Sequence, residues 1–371
     1  MRFVLFYHSL ISDWNHGNAH FLRGIVRELS KRGHDVRVYE PEDGWSLASL
    51  KADHGERTLG EFAAAFPDLT PRFHRPDDDL DELVRNADAV IVHEWNDPTL
   101  IARLGELKSR EAPFRLFFHD THHRAAGAPE EIKRFDLSGY DGVLAYGRVI
   151  RDLYVKNGWT KLAWTWHEAA DTSHFFPRRA DAKDGDLVWV GNWGDDERTA
   201  EMHEFLIEPV ARLGLRAKVH GVRYPDEGRQ ALKDAGIEYG GWLANHRVPE
   251  TFAKYRVTVH VPRRPYVKVL PGIPTIRVFE ALACGVPLIS APWNDAESLF
   301  TPGRDYLVAR NGAEMQNQLR RVLDDPVLAS SLAEHGLATI RKRHTCAHRV
   351  DELLAILEEL DQPTRSRRAA G

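Results

Sequence analysis

Three stretches carry side chains able to do chemistry. The densest is His119-Asp-Thr-His-His123, three imidazoles and a carboxylate in one short run. A neighbouring imidazole and carboxylate can move a proton or hydrogen-bond a polar substrate. The same residue types also ligate metals, but a tight loop aims four ligands at one ion poorly and the helical His-x-x-x-His spacing is missing. A purely structural polar loop is the third reading. The second stretch, Asp13-Trp-Asn-His-Gly-Asn18, precedes a helical pattern. It places Asp13, His16, Gly17 and Asn18 where helix amides and dipole meet an anion or a sugar hydroxyl, unless Asn18 simply caps the helix. It lacks G-x-G-x-x-G, which disfavours a dinucleotide oxidoreductase. The third is Pro271-Gly-Ile-Pro-Thr-Ile-Arg-Val-Phe-Glu-Ala-Leu-Ala-Cys-Gly285. Its Pro/Gly loop runs into Thr275 as an N-cap, with Gly285 closing the helix. The amides of Thr275 and Ile276 then form an anion site to which Arg277 adds charge-assisted bonds. Glu280 could accept two ribose hydroxyls; the bland alternative is a capped helix with an exposed glutamate.

These groups need a scaffold, and the pattern around them is that of an α/β protein. Short apolar strands alternate with amphipathic helices throughout, as in βαβ units with a parallel sheet. Strands are expected at Arg2–His8, Asp35–Glu40, Ala89–Val92, Phe114–Phe118 and Gly142–Ala145, with a helix over Asn18–Arg32. The 41–80 segment, with Pro, Gly and the acidic run Asp77–Asp79, reads as irregular. A polar stretch, Thr172–Asp186, reads as a linker. Beyond it come strands at Leu187–Val190, Ala217–His220, Val257–Val261 and Pro287–Ser290, and helices at Glu197–Leu213, Thr275–Ala283 and Asp324–Leu360. In parallel α/β sheets ligands bind beyond the strands' carboxyl ends. Gly191 and Asn192 follow one such strand, and His220 and Gly221 stand at the end of another.

Composition narrows the function. With 43 % hydrophobic and 28 % charged residues, both halves can bury a core. A net charge of −5 argues against a broad surface for nucleic acid or anionic lipid. Two cysteines, Cys284 and Cys346, exclude a disulfide scaffold and fit a reducing compartment. The opening apolar run is cut by Asp13 and His16, and no long apolar stretch follows, so a cytoplasmic protein without an integral membrane segment is expected. Nineteen His and ten Trp exceed what an ordinary core uses.

The run Pro274–Gly285 (PTIRVFEALACG), with Leu299–Arg304 (LFTPGR) and His344–Arg349 (HTCAHR), resembles the CgeB-like, spore-maturation-protein branch of the group 1 glycosyltransferases. The opening HGNAHFLRGIVRELSKRGHDVRVYEP and the DTSHFFP stretch at Asp171–Pro177 are similar to the same enzymes. The resemblance implies a GT-B fold: two Rossmann-like domains with parallel sheets facing across a cleft. The corresponding boundaries are an acceptor domain over 1–172, a linker over 173–186 and a donor domain over 187–340. A C-terminal helix over 341–362 would pack back on the first domain, and 363–371 would be a disordered tail. It implies a hexosyltransferase-type enzyme that moves a sugar from a nucleoside-diphosphate sugar to an acceptor hydroxyl, without a metal or other cofactor. Glu280 would hold the donor ribose. The Thr275 and Ile276 amides, Arg277, Gly191, Asn192 and Arg198 would surround the diphosphate, and His220-Gly221 and Trp242-Leu243 would flank the base. His119 would lie near the transferred sugar, with Gly17, Asn18 and His123 toward sugar or acceptor. Retaining relatives often carry a second glutamate eight positions before the ribose-binding one; here that position is Gly272. Inversion would need a base, with Asp13, His16 or Asp120 as candidates; retention would leave His119 only to orient the sugar. The alternatives are a metal-dependent hydrolase on His119–His123, a sugar-nucleotide epimerase, and a non-catalytic nucleotide-binding protein of the same fold.

Overall fold

Runs of β-branched and aromatic residues in the chain form two parallel sheets. A computed structural model describes residues 1–14, 17–110 and 112–362; the expectations for His16 and for the 363–371 tail lie outside the described residues. The first sheet contains β1 (Arg2–Phe6), β2 (Asp35–Pro41), β3 (Pro71–His74), β4 (Ala89–His93), β5 (Arg115–Asp120), β6 (Gly142–Ala145) and β7 (Ala163–Thr165). Its order is β3-β2-β1-β4-β5-β6-β7. The second contains β8 (Leu187–Val190), β9 (Ala217–His220), β10 (Glu238–Tyr239), β11 (Val257–His260), β12 (Leu288–Ser290) and β13 (Leu307–Val308), ordered β10-β9-β8-β11-β12-β13. Central strands such as β4 and β8 are buried at every residue, because helices cover both faces of each sheet. In each sheet the order reverses direction beside the first strand, at β1/β4 and at β8/β11, and that is where a crevice opens.

Three expectations are corrected. The 41–80 segment is regular: helices Trp45–His54 and Arg57–Ala65 precede β3. Gly44, Gly55 and Pro67 punctuate it, yet Leu47, Leu50 and Phe62 bury into the first core, so tertiary packing overrides local signals. The helix expected over Glu197–Leu213 opens with a short 3₁₀ turn and widens into a π-type turn at His203–Ile207. Pro209 lacks an N–H and its ring crowds the Phe205 carbonyl, which accounts for the widening. The helix expected over Asp324–Leu360 is two, Pro326–Arg343 and Cys346–Asp361. Thr345 starts the second with a capping box shared with His348.

That last helix lies on the Asn18–Lys31 helix of the first half. Cys346, Val350, Leu353, Ile356 and Leu357 share a core with Phe21, Leu22, Ile25 and Val26. The approach is close: a Cβ on Gly24 would sit 2.4 Å from the Cys346 sulfur. Trp166 Nε1 donates to the Arg349 carbonyl at 2.8 Å, and Arg32 and Arg115 pair with Asp351 and Asp361. The chain thus straps its C-terminus across its N-terminal core. Leu353→Ala, emptying a fully buried site in this seam, is expected to cost about 2–5 kcal/mol, read as a lower urea midpoint.

Candidate functional site

The carboxyl ends of both sheets face a cleft of about 460 Å³. Its C-terminal wall is built by the loops after β8 and β11 and by the start of the Ile276–Ala283 helix. Arg198 is the main cation there. It is 8 % exposed, and its guanidinium donates to the carbonyls of Trp193 (3.1 Å), Val261 (2.9 Å) and Asn192. It also lies 5.0 Å over the Trp189 ring. Burial, with Arg263 nearby, pulls its pKa down to about 10. A buried cation whose hydrogen bonds all go to neutral oxygens is a standing receptor for an anion.

The helix start completes that wall. Thr275 does not cap the helix as expected; its hydroxyl instead lies 3.1 Å from His260 Nε2. Ser290 donates to the Ala291 carbonyl, so His260 Nδ1 donates to Ser290 and Nε2 accepts from Thr275. Burial holds His260 neutral, at about 3. With the Thr275 oxygen turned away, the first helical amides have no side-chain cap. Arg277 reaches the cleft from the same turn. Gly17, from the opposite wall, meets Ile276: a Cβ there would lie 2.3 Å from Ile276 Cγ2.

Glu280 is placed differently from both readings of the sequence. It is fully buried; Oε1 accepts from Asn245 Nδ2 at 2.7 Å and Oε2 from Arg277 Nη1. Burial raises its pKa, opposed by Arg277 and Asn245. In this structure its carboxylate orients Arg277 rather than opening to ribose hydroxyls, because one and a half turns of helix carry it beneath the cleft floor. Asp13, across the cleft, accepts from Arg23 Nη1 (2.9 Å) and from the Asn245 backbone N–H (3.1 Å).

The His119–His123 run is split. β5 extends to Asp120, two residues past the expected Phe118, so His119 and Asp120 sit in the pleat of a buried strand instead of a loop. His119 Nδ1 lies 2.7 Å from the Tyr7 hydroxyl, the ring packs on Trp166, and burial pushes its pKa down to about 3. Asp120 accepts from the Tyr154 hydroxyl (2.7 Å) and the His122 amide (2.9 Å), and burial raises its pKa. Of the run's four titratable groups, His122 and His123 alone reach the cleft wall, with rings 4.1 Å apart. The four do not converge, and among the described residues no group of His, Cys, Asp and Glu is placed to hold a metal ion. His220 is likewise turned off the cleft, against Gly240, because strand alternation gives the outward position to Gly221.

Asp13, Gly17, Asn18, His123, Gly191, Asn192, Arg198, Gly221, Thr275, Ile276 and Arg277 therefore line one cleft, as do Trp242 and Leu243. Asn18 Nδ2 donates to Thr121 Oγ1 at 2.6 Å, so it serves the cleft wall rather than an N-cap. His119, Asp120, His220 and Glu280 lie behind the surface. The residues not singled out as site candidates include Glu168, His260, Arg263 and Tyr266, and an aromatic wall of Trp14, Trp45 and Trp95. The tryptophan surplus pointed at that wall; for Glu168 the sequence carries no signal.

Residues 198–355 match the glycosyl transferase-like family. No curated protein matches the sequence. Sucrose-phosphate synthase from Thermosynechococcus elongatus superimposes with a TM-score of 0.65 at 14 % identity, covering 97 % of this chain and 99 % of that one. Anabaena HepE, solved with UDP and glucose, gives 0.65 at 16 % identity, over 97 % and 100 %. T4 phage BGT, solved with its UDP-glucose substrate, gives 0.61 at 12 % identity, over 97 % and 100 %. These likenesses carry the fold, two parallel Rossmann-like sheets in the GT-B arrangement, while the activity class rests on the family match. With that fold and that matched domain, the chain is a glycosyltransferase.

Proposed function

We propose that the enzyme transfers a hexose from a nucleoside-diphosphate sugar to an acceptor hydroxyl, as a cytoplasmic member of the CgeB-like branch that works without a metal. The observation that carries this reading is Arg198, a buried guanidinium satisfied only by carbonyls, beside Arg277 and an uncapped helix start. When the glycosidic bond breaks, the diphosphate leaves with growing negative charge. Fixed cations and amides in a site screened from water stabilise that charge most effectively. Two arginines and a helix terminus supply what a divalent cation would otherwise supply.

The donor then lies along the C-terminal wall, with residues 187–340 as its domain. HepE was solved with UDP and glucose and T4 phage BGT with UDP-glucose, which makes UDP-glucose the first donor to test. Trp242 and Leu243 are positioned for the base, and Gly191 and Gly221 let it approach the backbone. The acceptor falls to the 1–172 side, linked through 173–186, where Trp14, Trp45 and Trp95 offer flat apolar faces with polar edges. Retention draws no support from position 272: the space a side chain there would fill is taken by Glu297, whose Cγ lies 2.4 Å from a Cβ built on Gly272.

UDP and UDP-glucose are expected to raise the melting temperature, with about 2.7 kcal/mol of stabilisation at a hundredfold excess over Kd. Arg198→Ala should weaken UDP roughly tenfold to a hundredfold by calorimetry, the worth of one charge-assisted contact, and UDP release should persist in EDTA. A protein whose melting no nucleotide sugar changes would sink the reading. A second expectation concerns Arg277→Ala, which strands the Glu280 carboxylate. Losing its cation lifts an already raised pKa further, so the folded state binds a proton that the unfolded state has released. The stability deficit should be largest at neutral pH and shrink as pH falls toward the ordinary glutamate range, measured by thermal melts across pH.

A further inference from the structure

Among the described residues lining the cleft, two carboxylates face it, Asp13 and Glu168. Asp13 holds Arg23 and the Asn245 amide through Oδ2, which ties it to a cation. Glu168 is 7 % exposed and makes no hydrogen bond or ion pair with any described residue. Its position is set by its neighbours in sequence. Trp166 is anchored in the core through Arg349, and His167 turns to Glu297 at 3.0 Å, which leaves Glu168 facing the cleft. Arg277 and Glu280 act on it from the Ile276–Ala283 helix, and Tyr266 from the Arg264–Lys268 helix. A carboxyl buried without a partner is costly unless protonated. Burial, with Glu280 adding to it and Arg277 opposing, pushes Glu168 up to about 8. Of the other basic candidates, His260 is bonded at both ring nitrogens, His119 and Asp120 lie behind the wall, and His122 and His123 reach the cleft packed ring against ring, with His123 turned toward Glu197 at 3.8 Å.

We propose that Glu168 is the catalytic base, taking the proton of the attacking hydroxyl in a transfer that inverts the anomeric carbon. The acceptor oxygen bonds to the sugar's C1 as the bond from C1 to the phosphate oxygen breaks. The bonding pair leaves on the diphosphate, beside Arg198 and Arg277, and the hydroxyl proton ends on the Glu168 carboxylate. The carboxyl must first release its own proton to solvent, so turnover runs through the ionised fraction, while in the neutral fraction it spares the diphosphate a like charge in the cleft. This inference rests on the nucleotide-sugar reading above.

The test compares wild type with Glu168→Gln and Glu168→Asp, using UDP as the binding probe and UDP-glucose with water as the acceptor. At pH 7 all three should bind UDP within about threefold, since a neutral carboxyl and an amide treat the diphosphate alike. Hydrolysis should fall on the order of 100-fold to 10,000-fold in the Gln variant, the range of a lost general base, with partial recovery in Asp. The wild-type rate should rise with pH through about 8 as Glu168 ionises, while UDP affinity declines; Gln should flatten both profiles. Proton NMR should show β-glucose forming first. A Gln variant with undiminished rate, an unchanged pH profile, α-glucose as first product, or wild type that binds UDP yet never hydrolyses UDP-glucose would each overturn the assignment. Failure of every variant and of wild type to bind UDP would instead overturn the donor reading itself.

Discussion

A carboxylate with no exposure to water ties the two halves of this enzyme together. Glu280 holds Arg277 with one oxygen and Asn245 with the other. The Asn245 amide reaches across to Asp13, which is held by Arg23, which in turn donates to the carbonyls of Leu10 and Ile11. Asp171 N–H donates to His20 Nε2, leaving Nδ1–H directed at Glu280 Oε1, 3.4 Å away. Buried charges are destabilising unless paired and hydrogen-bonded. These contacts form only when the loop after β1, the Asn18–Lys31 helix and the Ile276–Ala283 helix are in register. The cleft's width and the aim of Arg277 follow from that requirement.

Of the four arginines that line the cleft, Arg198 and Arg277 differ in how their charge is met. Arg277 is largely neutralised by Glu280, so it adds direction more than charge. Arg198 is surrounded by carbonyls and Trp189, so its charge is left for whatever enters. A chain of net charge −5 can therefore present a local positive site without attracting polyanions over its whole surface. The cations lining the cleft are few, and the most buried of them, Arg198, is placed by backbone carbonyls.

The histidine surplus has a structural meaning that differs from the catalytic one it first suggests. His20, His119 and His260 are all buried, with burial holding each near a pKa of 3. At neutral pH they are uncharged struts. A neutral ring can donate through one nitrogen and accept through the other, which lets a buried histidine link two hydroxyls inside a low-dielectric interior. His260 does this between Ser290 and Thr275, and by turning the Thr275 oxygen aside it leaves the helix amides for a ligand.

The strands and the Ile276–Ala283 helix were legible from residue order, because apolar period, β-branched runs and the Pro-Gly punctuation of the 271–285 stretch act over a few residues. So were the loops that meet at the cleft, since ligands gather at strand ends of parallel sheets. What residue order left open was which side of a wall a side chain occupies. Two extra residues on β5 moved His119 and Asp120 from a loop into a pleat, and a turn and a half of helix sank Glu280 beneath the floor. Glu168 carries no local signature at all, and its exposure to the cleft depends on Trp166 being pinned by Arg349, nearly two hundred residues along the chain. The irregular look of 41–80 hid two helices whose stability comes from Leu47, Leu50 and Phe62 entering a core built elsewhere. Periodicity is a property of neighbours in sequence, and it specified the elements; burial and charge pairing are properties of neighbours in space, and only the packed halves could decide them.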